Sequence, residues 1–211
     1  DALDHASGGT FHFLTPSLNT RLIVPDNVTI DFTNMSLYHD TSDSELVLSG
    51  RVTLLNRETS YALIQNIPIV VQSGGTLIVP KNYSISEENQ LDLSSGSSIT
   101  IEPGGHAELY SGTYSYIYAD TDSEIHISDC SNPVLVMKDG SRAVLTGGSY
   151  RSLYLEGICD VKISGGSYGR IEIYETDLQS ALVRPKVTYA DFSALLTNGS
   201  GFQKSDGSWL S

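Results

Sequence analysis

Two histidines and two glutamates recur in a pattern whose residue types could bind a metal ion. His106-X-Glu108 is followed 18 residues later by Glu124-X-His126. Imidazole and carboxylate groups are ligand types that suit zinc. If both segments are neighbouring strands, the four side chains form a flat checkerboard, which is poor geometry for closing a tetrahedral site. We therefore expect charge pairing on this surface, and no metal or other cofactor.

Carboxylates form two further groups. Polysaccharide lyases and hydrolases on β-helices need clustered carboxylates in a walled groove. One group comprises Asp26, Asp31, Asp40, Asp43 and Glu45. The other is a row of Asp120, Asp122, Asp139, Glu156, Glu175 and Asp177, with Lys138 or Arg170 beside it. The row is best interpreted as a solvated acidic edge, whereas the first group supports the alternative of a carbohydrate-active enzyme. Nucleophile-elbow, zinc-protease and phosphate-loop motifs do not occur in the sequence, and we predict no catalytic residues.

Tyrosines supply a third group of candidate functional residues. In the repeat register described below, one outward strand face carries Tyr116, Tyr118, Val134, Val136, Lys138, Tyr154, Glu156 and Arg170. Patches rich in tyrosine and rimmed by charges are typical of protein and sugar contact sites, because tyrosine combines a large apolar area with a polar tip. Two other interpretations remain open: the C-terminal segment covers the patch, or the rings stabilise the sheet by cross-strand packing.

A short repeated phrase indicates which elements position these residues. Ser111-Gly112-Thr113-Tyr114, Gly147-Gly148-Ser149-Tyr150 and Gly165-Gly166-Ser167-Tyr168 start 36 and then 18 residues apart, and residues 129–132 occupy the skipped step. A fixed period of this length is typical of a solenoid, in which each repeat is one coil.

Aligning the coils in steps of 18 places aliphatic residues in four columns. The columns are Ala107, Ile125, Ala143 and Val161; Leu109, Ile127, Leu145 and Ile163; Ile117, Leu135, Leu153 and Ile171; and Ala119, Met137, Leu155 and Ile173. Because alternate residues of a strand point to opposite faces, these columns predict inward ladders. Gly112, Cys130, Gly148 and Gly166 fall at a corner between the two predicted strands of each coil.

The complete chain is predicted to be all-β, a single-domain parallel β-solenoid (β-helix). It has 18-residue coils in the C-terminal half and longer coils in the N-terminal half, where apolar segments at 52–54, 77–79 and 99–101 follow one another at intervals of 25 and 22. The β-helix is predicted to span residues 1–188. Residues 189–211, with a short helix near 189–196, are expected to cap the last coil, since an open solenoid end exposes core and strand edges.

The two cysteines fall at opposite corners of successive coils. Cys130 belongs to the glycine column, and Cys159 to the column of Ser123 and Ser141. A disulfide requires α-carbons within about 7 Å, and a strand of five or six residues separates these corners by more. We predict two unpaired thiols, with Cys130 unreactive and Cys159 accessible at its turn.

Composition limits the classes of partner. Aspartate and glutamate outnumber lysine and arginine by 25 to 12, without a basic cluster, which argues against nucleic acid and an anionic membrane surface. There is no run of 18 apolar residues, so membrane insertion is not expected. Low charge with abundant Ser, Thr, Gly and Tyr favours an extracellular or cell-surface location.

The glycine-aromatic phrases that open strands, at 8–11, 111–114, 147–150 and 165–168, resemble the parallel β-helix repeats of bacterial surface proteins of the broad pectate-lyase-like group. The segment from Leu195-Leu196 through Gly201-Phe202 to Asp206-Gly207-Ser208-Trp209 is similar to segments that close such repeats in Gram-positive surface proteins. The resemblance implies a secreted repeat region within a larger surface protein. We expect a non-catalytic adhesion, binding or spacer module that contacts a host protein or glycan through the tyrosine-rich face.

Overall fold

The computed structural model describes residues 8–33, 35–39, 42–56, 62–81, 91–157 and 159–174, with further strands at 186–189, 202–204 and 209–210. The described strands pair in parallel, except for the last one, and the described residues form no helix. Successive coils stack so that each strand pairs with its equivalents in the preceding and following coils. The chain is therefore an all-β parallel solenoid, as predicted. Three strand faces surround its core.

Face 1 is a nine-stranded sheet. Its strands, in spatial order, are β1 (Gly9–Phe11), β4 (Val28–Asp31), β7 (Arg51–Leu55), β10 (Thr76–Val79), β12 (His106–Leu109), β14 (Glu124–Ile127), β16 (Arg142–Leu145), β19 (Asp160–Ile163) and β22 (Lys186–Tyr189).

Face 2 is a narrow ladder between the other two faces. It comprises β2 (Ser17–Leu18), β5 (Leu37–His39), β8 (Ala62–Gln65), the first residues of β11 (Leu91–Ile101) and β13 (Thr113–Ala119), a bridge at Ser131, β17 (Ser149–Tyr150) and β20 (Ser167–Tyr168).

Face 3 contains the last residues of β11 and β13. Its other strands are β3 (Arg21–Val24), β6 (Glu45–Leu48), β9 (Ile69–Val71), β15 (Val134–Met137), β18 (Ser152–Glu156), β21 (Ile171–Tyr174) and β23 (Phe202–Lys204), with β24 (Trp209–Leu210) added antiparallel to β23.

The 18-residue register of the C-terminal half is confirmed. Leu109 pairs with Ile127, Ile127 with Leu145 and Leu145 with Ile163 on face 1, and each is at most 3% exposed. On face 3 the ladder from Ile117 through Leu135 and Leu153 to Ile171 is buried in the same way. The core is thus a stack of aliphatic ladders, as the columns predicted.

One interval predicted for the N-terminal half is wrong. Leu77 does pair with Val52, as the interval of 25 required. It pairs on its other side with Ala107, thirty residues later, whereas Ile99 pairs with Ile69 on face 3. The segments at 77–79 and 99–101 therefore lie on different faces. A triplet of aliphatic residues does not indicate which face of the solenoid it occupies. Here a long connection separates the segments at 77–79 and 99–101.

Face 2 was not predicted, and it places tyrosines inside the solenoid. Tyr114, Tyr150 and Tyr168 point inward and are at most 2% exposed. The rings of Tyr150 and Tyr168 stack with centroids 4.6 Å apart. The hydroxyl of Tyr114 donates to the carbonyl of Ser111 at 2.7 Å, and that of Tyr168 donates to the carbonyl of Gly165 at 3.1 Å. The repeated phrase therefore encodes an aromatic part of the core.

Cys130 lies in the coil that lacks this tyrosine. Asn132 occupies the equivalent position, with φ of 64°, and points outward. The Cys130 side chain is 1% exposed and close enough to the phenols of Tyr114 and Tyr150 to contribute to their raised pKa values, for which burial is the larger cause. The buried thiol thus lies near the tyrosines of face 2, with Sγ 3.5 Å from the carbonyl oxygen of Leu109 and 3.6 Å from that of Ser111.

Cys159 replaces a serine of the opposite corner. Ser141 donates from Oγ to the carbonyl of Lys138, three residues earlier, and Cys159 donates from Sγ to the carbonyl of Glu156 at 3.5 Å, also three residues earlier. Both cysteines are unpaired, as predicted. Cys159 is only 1% exposed, so its predicted accessibility is wrong, because the corner turns its side chain inward.

The predicted cap begins where β22 ends, at Tyr189. The predicted helix over 189–196 falls, beyond Tyr189, outside the described residues. Within 189–211, β23 continues the parallel ladder from β21, and β24 pairs antiparallel with it. The boundary between solenoid and cap stays a prediction.

Candidate functional site: the tyrosine strip

The outward surface of face 3 carries three parallel rows of side chains in the C-terminal half. The first row is Tyr116, Val134, Ser152 and Arg170, the second is Tyr118, Val136, Tyr154 and Glu172, and the third is Asp120, Lys138, Glu156 and Tyr174. We call this surface the tyrosine strip. Neighbouring coils are about 4.8 Å apart, so the eight predicted contact residues lie on one continuous surface.

The first tyrosine pair of the strip is held by an arginine. The rings of Tyr116 and Tyr118 lie 5.9 Å apart with planes inclined by 5°. The guanidinium carbon of Arg151 lies 5.7 Å from the centroid of the Tyr116 ring, and Nη2 donates to its hydroxyl at 3.3 Å. Tyr116 is 39% exposed, so this fixed ring is open to a partner. The sequence prediction missed Arg151, whose only signal is its position just before the outward residue Ser152.

Val134 contributes less to the surface than predicted. It points outward in the expected register, between Tyr116 and Ser152, but it is 4% exposed. Arg151 lies two coils beyond Tyr116, so its side chain crosses the coil that contains Val134. The exposed apolar centre of the strip is therefore Val136 with the tyrosines, and Val134 is a buried part of the first row.

The second tyrosine pair lies two coils further along. The rings of Tyr154 and Tyr174 stack with centroids 6.1 Å apart. The hydroxyl of Tyr174 donates to the carboxylate of Glu172, and this hydrogen bond raises the pKa of Tyr174 to about 12. Glu172 is 7% exposed and also contacts the guanidinium of Arg170. Glu172 therefore fixes both Tyr174 and Arg170.

The third row carries most of the acidic groups of the strip. Lys138 Nζ lies 3.3 Å from Asp120 Oδ1. The pKa of Asp120 is lowered, chiefly by a hydrogen bond from the backbone N–H of Thr121 and further by Lys138. Glu156 follows Lys138 in the row. The described cations of the strip and its edges are Arg151, Arg170 and Lys138, and the carboxylates are Asp120, Glu156 and Glu172, so this surface is neutral although the chain carries a net charge of −13.

The His and Glu checkerboard lies on the outward surface of face 1, as predicted. His106 Nε2 is 3.4 Å from Glu108 and Nδ1 is 3.8 Å from Glu124, whereas His126 packs edge-on against Tyr110. Among the described residues, no three His, Cys, Asp or Glu side chains are grouped so that they could hold a metal ion. On the same surface, Arg142 lies between Glu124 and Asp160 in the backbone register.

The described N-terminal carboxylates Asp26, Asp31 and Glu45 occupy different elements of the solenoid. Asp26 accepts the backbone N–H of Arg51 at 2.7 Å at a corner. Asp31 is 4% exposed and accepts the N–H of Thr33. Glu45 lies on face 3 and pairs with Arg21 at 3.0 Å. Asp40, Glu175 and Asp177 lie outside the described residues.

Comparisons of the chain with family models, with curated proteins and with solved structures find no match. In the described part of the chain, no helix is long and apolar enough to cross a membrane. The class of molecule is therefore defined by its fold: a parallel β-solenoid with a tyrosine-rich outward strip.

Proposed function

We propose that this chain is a non-catalytic binding module whose tyrosine strip contacts a protein or glycan. The observation that carries the proposal is the pair of fixed tyrosine stacks, Tyr116 with Tyr118 and Tyr154 with Tyr174, separated by two coil steps on a flat sheet. Rigid aromatic side chains lose little entropy on binding and are enriched among residues that dominate binding energy.

The side chains that hold the rings support this proposal. Arg151 and Glu172 each fix one tyrosine before any partner arrives. Surfaces ordered in advance avoid part of the entropic cost of association. Packing of neighbouring side chains within the sheet would by itself explain the stacking of the rings, but Tyr116 and Tyr174 each remain 39% exposed. The experiment must therefore distinguish binding from the alternative that the rings only stabilise the sheet.

The location belongs to the same proposal. We infer a secreted or cell-surface module within a larger surface protein, supported by the low charge of the sequence and by the resemblance of its glycine-aromatic phrases to bacterial surface repeats. On this proposal the solenoid also acts as a spacer, because each coil adds about 4.8 Å of length.

A ligand panel with matched variants tests the proposal. The purified domain is applied to arrays of host proteins and glycans, and hits are compared between the wild type and the double variant Tyr118→Ala, Tyr154→Ala. We expect binding to be lost while the free energy of unfolding changes little, since both rings lie on the outer surface. The control is Tyr110→Ala, which removes an outward tyrosine near face 1. Equal binding by wild type and double variant, or a large loss of stability, contradicts the proposal.

A further inference from the structure

We propose that the tyrosine strip of one molecule binds the strip of a second copy, with the two solenoids side by side and parallel. This inference rests on the proposed function, because it names a partner for the same surface. The feature that points to it is the arrangement of the rows: the middle row, which is apolar at Tyr118, Val136 and Tyr154, lies between two edges of opposite charge. Such a strip is complementary to itself after a half-turn about its own long axis.

The middle row forms the centre of the contact. Tyr118, Val136 and Tyr154 follow one another in successive coils and are all partly exposed. A two-fold axis parallel to this row places each of the three opposite its own equivalent, so apolar surface meets apolar surface. Glu172 at the end of the row also meets its equivalent, but it is only 7% exposed, its charge is paired with Arg170, and it accepts a hydrogen bond from Tyr174.

The two edges supply the complementarity. The edge beside the first row carries Arg151 and Arg170, whose side chains are exposed, with Arg170 already paired to Glu172. The third row carries Asp120 and Glu156, with Lys138 already paired to Asp120. The half-turn exchanges the edges, so the cationic edge of each molecule faces the acidic edge of the other. In such an isologous interface every contact occurs twice, which doubles the effect of each charge pair.

The dimensions of the strip set the strength of association. Four coils at about 4.8 Å and five residues at about 3.3 Å give a footprint of roughly 300 Å² on each copy. Stable complexes bury about 800 Å² on each partner. The dimer is therefore expected to be weak and to form where copies are concentrated.

Sedimentation velocity over a wide range of protein concentration tests the association. We expect a reversible shift from monomer to dimer as the concentration approaches about 1 mM, corresponding to a weak complex. Tyr118→Ala should abolish the shift. Glu156→Lys should weaken dimerisation at least tenfold at low salt, whereas Glu124→Lys, the same charge change on face 1, should leave it unchanged. A wild type that stays monomeric at every concentration, or equal effects of the two charge variants, overturns the proposal.

A thiol cross-link tests the geometry independently. Val136→Cys places a thiol at the centre of the strip, and packed sheets are about 10 Å apart, so a thiol-specific linker of about that length should trap dimers. Val144→Cys on the outward surface of face 1 is the matched control. The native thiols do not compete, since both are buried. Equal trapping of both variants contradicts the proposed interface.

The two proposals can fail separately. If the wild type is monomeric and Tyr118→Ala, Tyr154→Ala still loses an array ligand, self-association is wrong and the binding function stands. If the wild type dimerises through the strip and no array ligand binds, the strip is a self-association surface and the wider binding function is wrong.

Discussion

Arg151 and Tyr116 are joined across the coil that separates them. The guanidinium lies over the tyrosine ring at 5.7 Å from its centroid and donates to the phenol oxygen at 3.3 Å. Val134 lies in the intervening coil and is 4% exposed. This contact links residues of different coils outside the backbone ladder, and it orders one exposed end of the tyrosine strip.

Replacing Arg151 with alanine should therefore loosen the strip. The loss of the cation–π contact and of the packing of the arginine stem is expected to reduce the free energy of unfolding by about 0.5 to 1 kcal/mol. Urea denaturation measures the change. Arg142→Ala, an exposed arginine of face 1, is the control and should cost less. Equal losses for the two variants would show that Arg151 has no specific role.

The aliphatic ladders should tolerate truncation poorly. Leu145 is fully buried between Ile127 and Ile163, so Leu145→Ala is expected to cost about 2 to 5 kcal/mol. Its neighbour Val144 points outward, and Val144→Ala should change stability by no more than about 0.5 kcal/mol. The comparison is made by chemical denaturation of both variants. A small effect at Leu145 would contradict the burial of this ladder.

Two glycines with positive φ should respond differently to alanine. A β-carbon on Gly148 would lie 2.6 Å from the carbonyl oxygen of Cys130, whereas one on Gly74 would meet nothing within 4 Å. Gly74→Ala should cost about 1 to 2 kcal/mol through backbone strain alone. Gly148→Ala should cost a further 1 to 3 kcal/mol, roughly, because the coils must move apart. Thermal unfolding measures the stability of both variants. A Gly74→Ala variant less stable than Gly148→Ala would contradict the close approach at Gly148.

Both thiols should resist alkylation until the protein unfolds. Burial raises the pKa of Cys159 to about 11 and that of Cys130 further, and the thiolate is the reactive form. Mass measurement after alkylation without reductant should show no adduct in the native protein and two in denaturant. Cys159→Ser should be nearly neutral in stability, because Ser141 makes the equivalent hydrogen bond in the preceding coil. An adduct on native Cys159 would contradict its burial.

Stability should fall at alkaline pH. The ordinary thiol pKa is 9.0 and that of folded Cys159 is about 11, so above pH 9 the unfolded state loses a proton that the folded state retains. The free energy of unfolding must then decrease as pH rises from about 9 to 11. Buried Cys130, Tyr114 and Tyr150 act in the same direction. Urea titrations across this range should show a shallower fall for Cys159→Ser, and parallel curves would contradict the prediction.

The regular coils could be predicted from sequence because their period is constant and each inward column has one chemistry. Once Leu109, Ile127, Leu145 and Ile163 are aligned, the outward residues between them are fixed as well, and this register placed Tyr118, Val136 and Tyr154 on one surface. The alternation of inward and outward side chains along a strand is a local property, so it can be predicted without knowledge of the fold.

What the sequence could not indicate depends on contacts across coils. Tyr114 is part of the repeated phrase, but its inward direction follows from a third face, which contains only two residues in the coils of Tyr150 and Tyr168. The position of the Tyr116 ring depends on a long, flexible arginine side chain two coils away. The pairing of Leu77 with Ala107 depends on a connection whose length no repeat specifies. In each case the deciding partner is distant in sequence.

Because the register of residues 106 to 163 is constant, this part of the molecule can change its length by whole coils. Duplication or loss of one 18-residue coil would join ends that already match, and it would change the height of the solenoid by about 4.8 Å. The tyrosine stacks would be moved apart or together by that same step. Duplication or deletion of coils could thus alter the length of the solenoid and the spacing of its tyrosine stacks while the fold stays the same.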